Sequence, residues 1–178
     1  MFVSKTYELQ DYISSNWSGF ITSQYVNSAT VNDDGVLSFY NNGKERGGFI
    51  FNQILTPPYS VELTYVDVTS GSFTFRFGFV NEDYTGTNAN IVTYLSYGKT
   101  NNDYWGSLTN QGTIKKPRPV TGDVYRLEVY DDEIITFKND EVLFTQSINI
   151  TDYNARFAIL GTDYPYKQSW KDIKIKTL

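Results

Sequence analysis

Seven residues stand on the polar side of segments whose alternate positions are apolar: Glu62, Thr64, Arg76, Gly78, Tyr94, Ser96 and Arg126. An arginine presents a planar fork of donors, and a glutamate accepts from vicinal hydroxyls. The small Gly78 leaves space for a ligand between them. The plain alternative is a solvated sheet face with a Glu62–Arg76 cross-strand pair. Tyr104 and Trp105 form a second set, inside Asn101-Asn102-Asp103-Tyr104-Trp105-Gly106. Aromatic rings beside Asn and Asp suit a polyol: the ring stacks on C–H faces and the polar groups take the hydroxyls. Equally, Trp105 fits a core position at a strand start. Asn81–Tyr84, Tyr97–Lys99 and Asp163–Tyr166 are loop segments at strand ends, where turn chemistry is the commoner role.

The missing residue types narrow this chemistry. The chain has 178 residues with no His and no Cys. That removes a Ser-His-Asp triad, a Cys-His dyad, His-ligated zinc, disulfides and thiol nucleophiles. Carboxylate pairs, a tyrosine base, a lysine or oxygen-ligated calcium remain open. Asp33-Asp34-Gly35, or Asp11 with Asp172, could lend oxygens to a structural calcium, although turn-forming Asp is the commoner explanation. No other cofactor or metal is called for. A net charge of −5 argues against nucleic acid as partner. The basic run Lys115-Lys116-Pro117-Arg118 reads as a solvated loop. No apolar run approaches the roughly 20 residues of a membrane span, and Met1–Lys5 shows no start of a secretory signal. Asn16-Trp17-Ser18 and Asn149-Ile150-Thr151 match the glycosylation acceptor pattern, a weak three-residue signal.

The elements that must position these residues are strands. Tyr59–Asp67 alternates, with Val61, Leu63 and Tyr65 on one face. Ser72–Val80 sets Phe73, Phe75, Phe77 and Phe79 on one face and Thr74, Arg76 and Gly78 on the other. Further strands fall at Val36–Tyr40, Gly48–Asn52, Ile91–Tyr97, Tyr104–Leu108, Val124–Tyr130, Ile134–Lys138, Val142–Thr145, Arg156–Leu160 and Trp170–Lys176. Only Ser147–Asn154 or Gln10–Asn16 could hold a helical turn. Gly112–Gly122, with two prolines, reads as the long loop, and Trp17 and Trp170 as structural. The expectation is one all-β domain over residues 1–178, built of two packed antiparallel sheets.

The wording of these strands resembles the concanavalin A-like lectin/glucanase jelly roll, especially its laminin G-like and glucanase-like branches. Ser60–Val66 looks like the family's "V-E-x-x" strand. Ser72–Val80 with Asn81–Asp83 is similar to its aromatic strand and following loop. Asp123–Tyr130 followed by Glu133–Phe144 resembles its hairpin, and Trp170–Ile175 its terminal strand, which returns beside the N-terminus. The resemblance implies a jelly-roll β-sandwich with one concave sheet, whose open face commonly forms a carbohydrate groove. It also implies that the polar residues above gather on that face. Glucanases of this family carry Glu-x-Asp-x-x-Glu on the strand after the aromatic one. The matching Asn90–Tyr97 has no acid, and the lyases' His is missing.

The sequence therefore reads first as a non-catalytic carbohydrate-binding module. Its ligand residues would be Glu62, Arg76, Tyr94, Ser96, Tyr104, Trp105 and Arg126, with no catalytic residue. The partner would be a cell-surface or wall polysaccharide or an oligosaccharide, reached outside the cell or from a virion surface such as a phage tail. Neighbouring domains of a larger assembly fit this picture, and membrane insertion does not. A structural or protein-interaction module of a virion or adhesin is the alternative. A glycan hydrolase or lyase using Glu62, Glu82 or Asp83 is the third reading.

Overall fold

In the computed structural model, residues 17, 19–23, 26–41, 47–66, 74–85, 90–99, 103–107, 113–114, 118–161 and 167–178 are described. They form fourteen strands: β1 (Phe20–Thr22), β2 (Val26–Val31), β3 (Leu37–Asn41), β4 (Gly48–Phe51), β5 (Tyr59–Val66), β6 (Thr74–Val80), β7 (Ile91–Lys99), β8 (Asp103–Ser107), β9 (Thr113–Ile114), β10 (Val124–Val129), β11 (Glu133–Lys138), β12 (Glu141–Ser147), β13 (Arg156–Leu160) and β14 (Lys167–Thr177). The first sheet runs β1-β4-β13-β6-β7-β8-β9 and the second β12-β11-β10-β5-β14-β3-β2. Every pairing is antiparallel. The all-β sandwich expected from the sequence is the fold observed.

Alternation decides which side of each strand is inside. On β5, Tyr59, Val61, Leu63 and Tyr65 are buried inward while Glu62 is half-buried on the outer side. β10 repeats the pattern, with Tyr125, Leu127 and Val129 inside. Phe77 and Phe79 of β6 face them from the first sheet. Phe73 and the side chain of Phe75 lie outside the described residues. Trp170, from the second sheet, sits edge-on to Tyr65, Phe77 and Tyr125 at ring centroid distances of 5.5, 5.6 and 6.0 Å. Such pairs contribute roughly 0.5–1.5 kcal/mol each beyond the area they bury. Trp17 is buried too, donating Nε1–H to the Gly35 carbonyl at 3.0 Å. Both tryptophans are structural, as read.

Two buried glutamines tie the sheets through the interior. Gln146 of β12 donates to Thr93 Oγ1 of β7 at 2.9 Å. Gln168 of β14 donates to the Leu160 carbonyl at 2.7 Å and accepts the Arg76 N–H at 3.3 Å. A buried amide needs such partners to offset its desolvation.

Two departures from the expected elements stand out. β1 and β2 were not legible as strands, and β9 lies inside the stretch read as loop. β14 lies between β5 and β3, while β1 edges the other sheet; the N-terminal residues beside which the terminal strand was expected to return lie outside the described residues. The helical turn is found at Ile150–Tyr153, a 3-10 helix capped by Asn149, which accepts the Thr151 N–H. The Gln10–Asn16 alternative lies outside the described residues.

Candidate functional site

The outer face of the first sheet gathers three of the expected residues. β6 and β7 pair so that Arg76 opposes Ser96 and Gly78 opposes Tyr94. The Arg76 guanidinium carbon lies 4.3 Å from the centre of the Tyr94 ring, a cation–π contact. Gln168 accepts the Arg76 backbone N–H from behind. Tyr94 also packs against a second apolar cluster of Ile50, Val80, Tyr84, Ile91, Ala158 and Leu160. Ala158 opposes Gly78, and Leu160 opposes Arg76, so the cluster shares this outer face.

The expectation of an open polar face is therefore corrected. The floor is apolar, and Arg76 is only 8% exposed, while Tyr94 and Ser96 are half-buried. The reading of Gly78 changes as well. A Cβ there would meet the Thr93 carbonyl oxygen and, at 2.5 Å, the Tyr94 Cα. Gly78 lets β7 approach; it does not leave space for a ligand.

Glu62 and Arg126 stand on the opposite side of the molecule, on the outer face of the second sheet. They oppose each other across β5 and β10. No Glu62–Arg76 pair exists, because β5 is flanked by β10 and β14 and the chain changes sheets between β5 and β6. Glu62 instead accepts from Lys174 Nζ at 2.7 Å. Arg126 donates to Glu128 at 3.1 Å and to Asp140 at 2.6 Å, and its guanidinium lies 4.4 Å from the Phe137 ring centre. Partial burial works against the Arg126 charge, but the hydrogen bond to Asp140 and the fields of Glu128 and Asp140 outweigh it and raise its pKa. A hydrogen bond to Glu128 likewise raises the Tyr130 phenol. Lys174, Phe137 and Gln168 were missed as partners. Each lies in phase with a residue already read, but strand order alone brings it into contact.

The backbone of β8 sets Tyr104 opposite Gly98 and Trp105 opposite Tyr97; the side chains of Tyr104 and Trp105 lie outside the described residues. Tyr97 itself is a core residue. In the Asn81–Tyr84 loop, the Glu82 carbonyl accepts from Arg156 at 2.7 Å and its carboxylate from Asn154 at 3.2 Å. The Asp163–Tyr166 loop and Asp11 lie outside the described residues. Asn32 Oδ1 accepts the N–H groups of Asp34 and Val36, so Asp33-Asp34-Gly35 is a side-chain-stabilised turn. Among the described residues no three acidic side chains gather into a set that could hold a metal ion.

Two seven-stranded antiparallel sheets packed face to face make a lectin-like β-sandwich. No protein-family model and no curated protein matches the chain in sequence. Solved structures match its fold. A Bacillus subtilis protein of unknown function with a galectin-like fold is 10% identical, with a TM-score of 0.61, covering 97% of this chain and 95% of that one. The carbohydrate-binding module CBM66 from Bacillus subtilis is 10% identical, with a TM-score of 0.58 over 89% of this chain and 96% of its own. An alginate lyase is 9% identical, with a TM-score of 0.58 over 86% and 78%. At these identities the likeness is one of fold, shared by binding modules and glycan-acting enzymes.

Proposed function

We propose that the chain is a non-catalytic carbohydrate-binding module of the concanavalin A-like lectin/glucanase class, recognising a cell-surface or wall polysaccharide from outside the cell or from a virion. The observation that carries this reading is the Arg76–Tyr94 stack beside Ser96, on the outer face of a sandwich of the type a binding module also has. A half-exposed ring fixed by a cation offers a platform for a sugar's C–H face, and Ser96 a hydroxyl for its polar edge. Non-catalytic action is supported by the acids. Retaining glycosidases hold two carboxyl groups about 5–5.5 Å apart. β7 carries no acid, Glu62 is held by Lys174, and Glu82 is held by Asn154.

The test is a glycan array followed by calorimetry on the hits. Binding in the micromolar to millimolar range is expected, weakened about tenfold by Tyr94→Ala when measured well below that variant's melting temperature, which loss of the ring's packing on the apolar cluster should lower. Tyr94 is preferred to Arg76 for this purpose, since removing a buried arginine would also disturb folding. Absence of binding to every polysaccharide tested would overturn the reading, and release of reducing ends would replace it with an enzyme.

A further inference from the structure

We propose that the outer face of the second sheet is a separate seat for an uncharged oligosaccharide, so that the module grips two glycan chains on opposite faces. This rests on the glycan-binding reading above. The face is built on a row that crosses five strands in register: Lys174 of β14, Glu62 of β5, Arg126 of β10, Phe137 of β11 and Val142 of β12. Four strand spacings of about 4.8 Å make the row roughly 19 Å long, enough for a short oligosaccharide. One half is polar. The other is apolar, with Val142 53% exposed and Ile135 beside Phe137 on the same side of β11.

The charges decide the class of occupant. Four cations, Lys171, Lys174, Lys176 and Arg126, share the face and its rim with five carboxylates, Glu62, Glu128, Glu133, Asp140 and Asp172. The charges nearly cancel with a slight negative excess, so the face has no field to draw in a polyanion. A protein partner fits less well: interface centres are depleted of Glu and Lys, whereas Glu62 sits within the row beside Lys174. An uncharged polyol needs what is present, donors and acceptors side by side with an apolar strip. These groups are also already ordered. Arg126 is fixed by Glu128, Asp140 and the Phe137 ring, and Glu62 by Lys174. Side chains held in advance lose little entropy on binding, and the guanidinium fork and carboxylate keep hydrogen-bonding capacity beyond the bonds they make here.

The experiment is an amide-resolved NMR titration of the full chain with neutral pentasaccharides of glucose, N-acetylglucosamine and fructose, and with pentagalacturonate as charged control, backed by calorimetric stoichiometry. At least one neutral pentasaccharide is expected to shift the amides of Glu62, Arg126 and Phe137 saturably. Its affinity should change less than about twofold between about 50 and about 500 mM salt. Arg126→Ala should abolish these shifts and leave those at Tyr94, Tyr94→Ala should do the reverse, and either should halve the stoichiometry. Val142→Lys, which blocks the apolar half at an exposed site, guards against a folding defect in Arg126→Ala. Shifts confined to β6 and β7 overturn this proposal while leaving the glycan-binding reading intact. Binding of pentagalacturonate alone at this face, lost with salt, also overturns it. No shift with any sugar sinks both.

Discussion

Gly78 has no room for a side chain. The atoms a Cβ would meet belong to the backbone of β7, at Thr93 and Tyr94, and cannot rotate aside. They come this close where β6 and β7 slip register between Phe79 and Val80. Gly78→Ala must therefore push the strands apart at the place where Tyr94 is presented. Overpacking of this kind costs roughly 1–3 kcal/mol. The expected result is a lower urea midpoint at unchanged slope, with glycan affinity reduced alongside. An alanine variant as stable as the parent would show that the strands can part freely there. The sequence alone made Gly78 look like vacant space, because a missing side chain reads the same whether a ligand or a neighbouring strand takes its place.

In β14 a single extra residue keeps the whole strand in phase. Lys171 opposes Thr64, but Lys174 opposes Glu62, so three steps on β14 match two on β5. Asp172 absorbs the difference in the left-handed region, at φ +53°. Without that bulge, Trp170 could not point inward together with Ile173 and Ile175, all three buried. Asp172→Gly should relieve about 1 kcal/mol of backbone strain and raise the melting temperature by roughly 2–4 °C. Deleting Asp172 should abolish cooperative unfolding, since every side chain beyond it changes face. Circular dichroism melts of the two variants separate these outcomes, and a deletion that folds normally would contradict the phase argument.

β14 also shows where reading the sequence stopped. Strict alternation in Tyr59–Val66 and Val124–Val129 made the strands and their inner faces legible. β2, with the mixed run Val26–Val31, and β9, with two residues, gave no such pattern. Alternation tells inside from outside but not which sheet a strand joins. Glu62 and Arg76 were both correctly placed on outer faces, and the crossing between β5 and β6 then put those faces on opposite sides of the molecule.

The two sheets are joined by an aromatic core and two buried glutamine ties, and that interior makes the molecule sensitive to alkali. Burial raises the Tyr59 phenol well above its ordinary value of 10.0. Tyr125 is raised further, first by burial, then by the Asp123 carboxylate and by Tyr65 and Tyr97. In the unfolded chain both titrate near pH 10. Below that pH both states hold the protons and nothing is lost. Above it the unfolded state releases protons that the folded state retains, so stability falls as pH rises toward the folded values. Two such groups give a slope of roughly 2.7 kcal/mol per pH unit, against a total stability of about 5–15 kcal/mol. The fold should therefore collapse within a few pH units above 10. Solvent-exposed phenols should ionise beforehand without structural change. Phenolate absorbance should rise in two phases, the second coinciding with loss of the sheet signal in circular dichroism. Tyr125→Phe should move that second phase to higher pH. Smooth ionisation of all fifteen tyrosines with the sheet signal intact would mean that the buried phenols are not held as the packing requires.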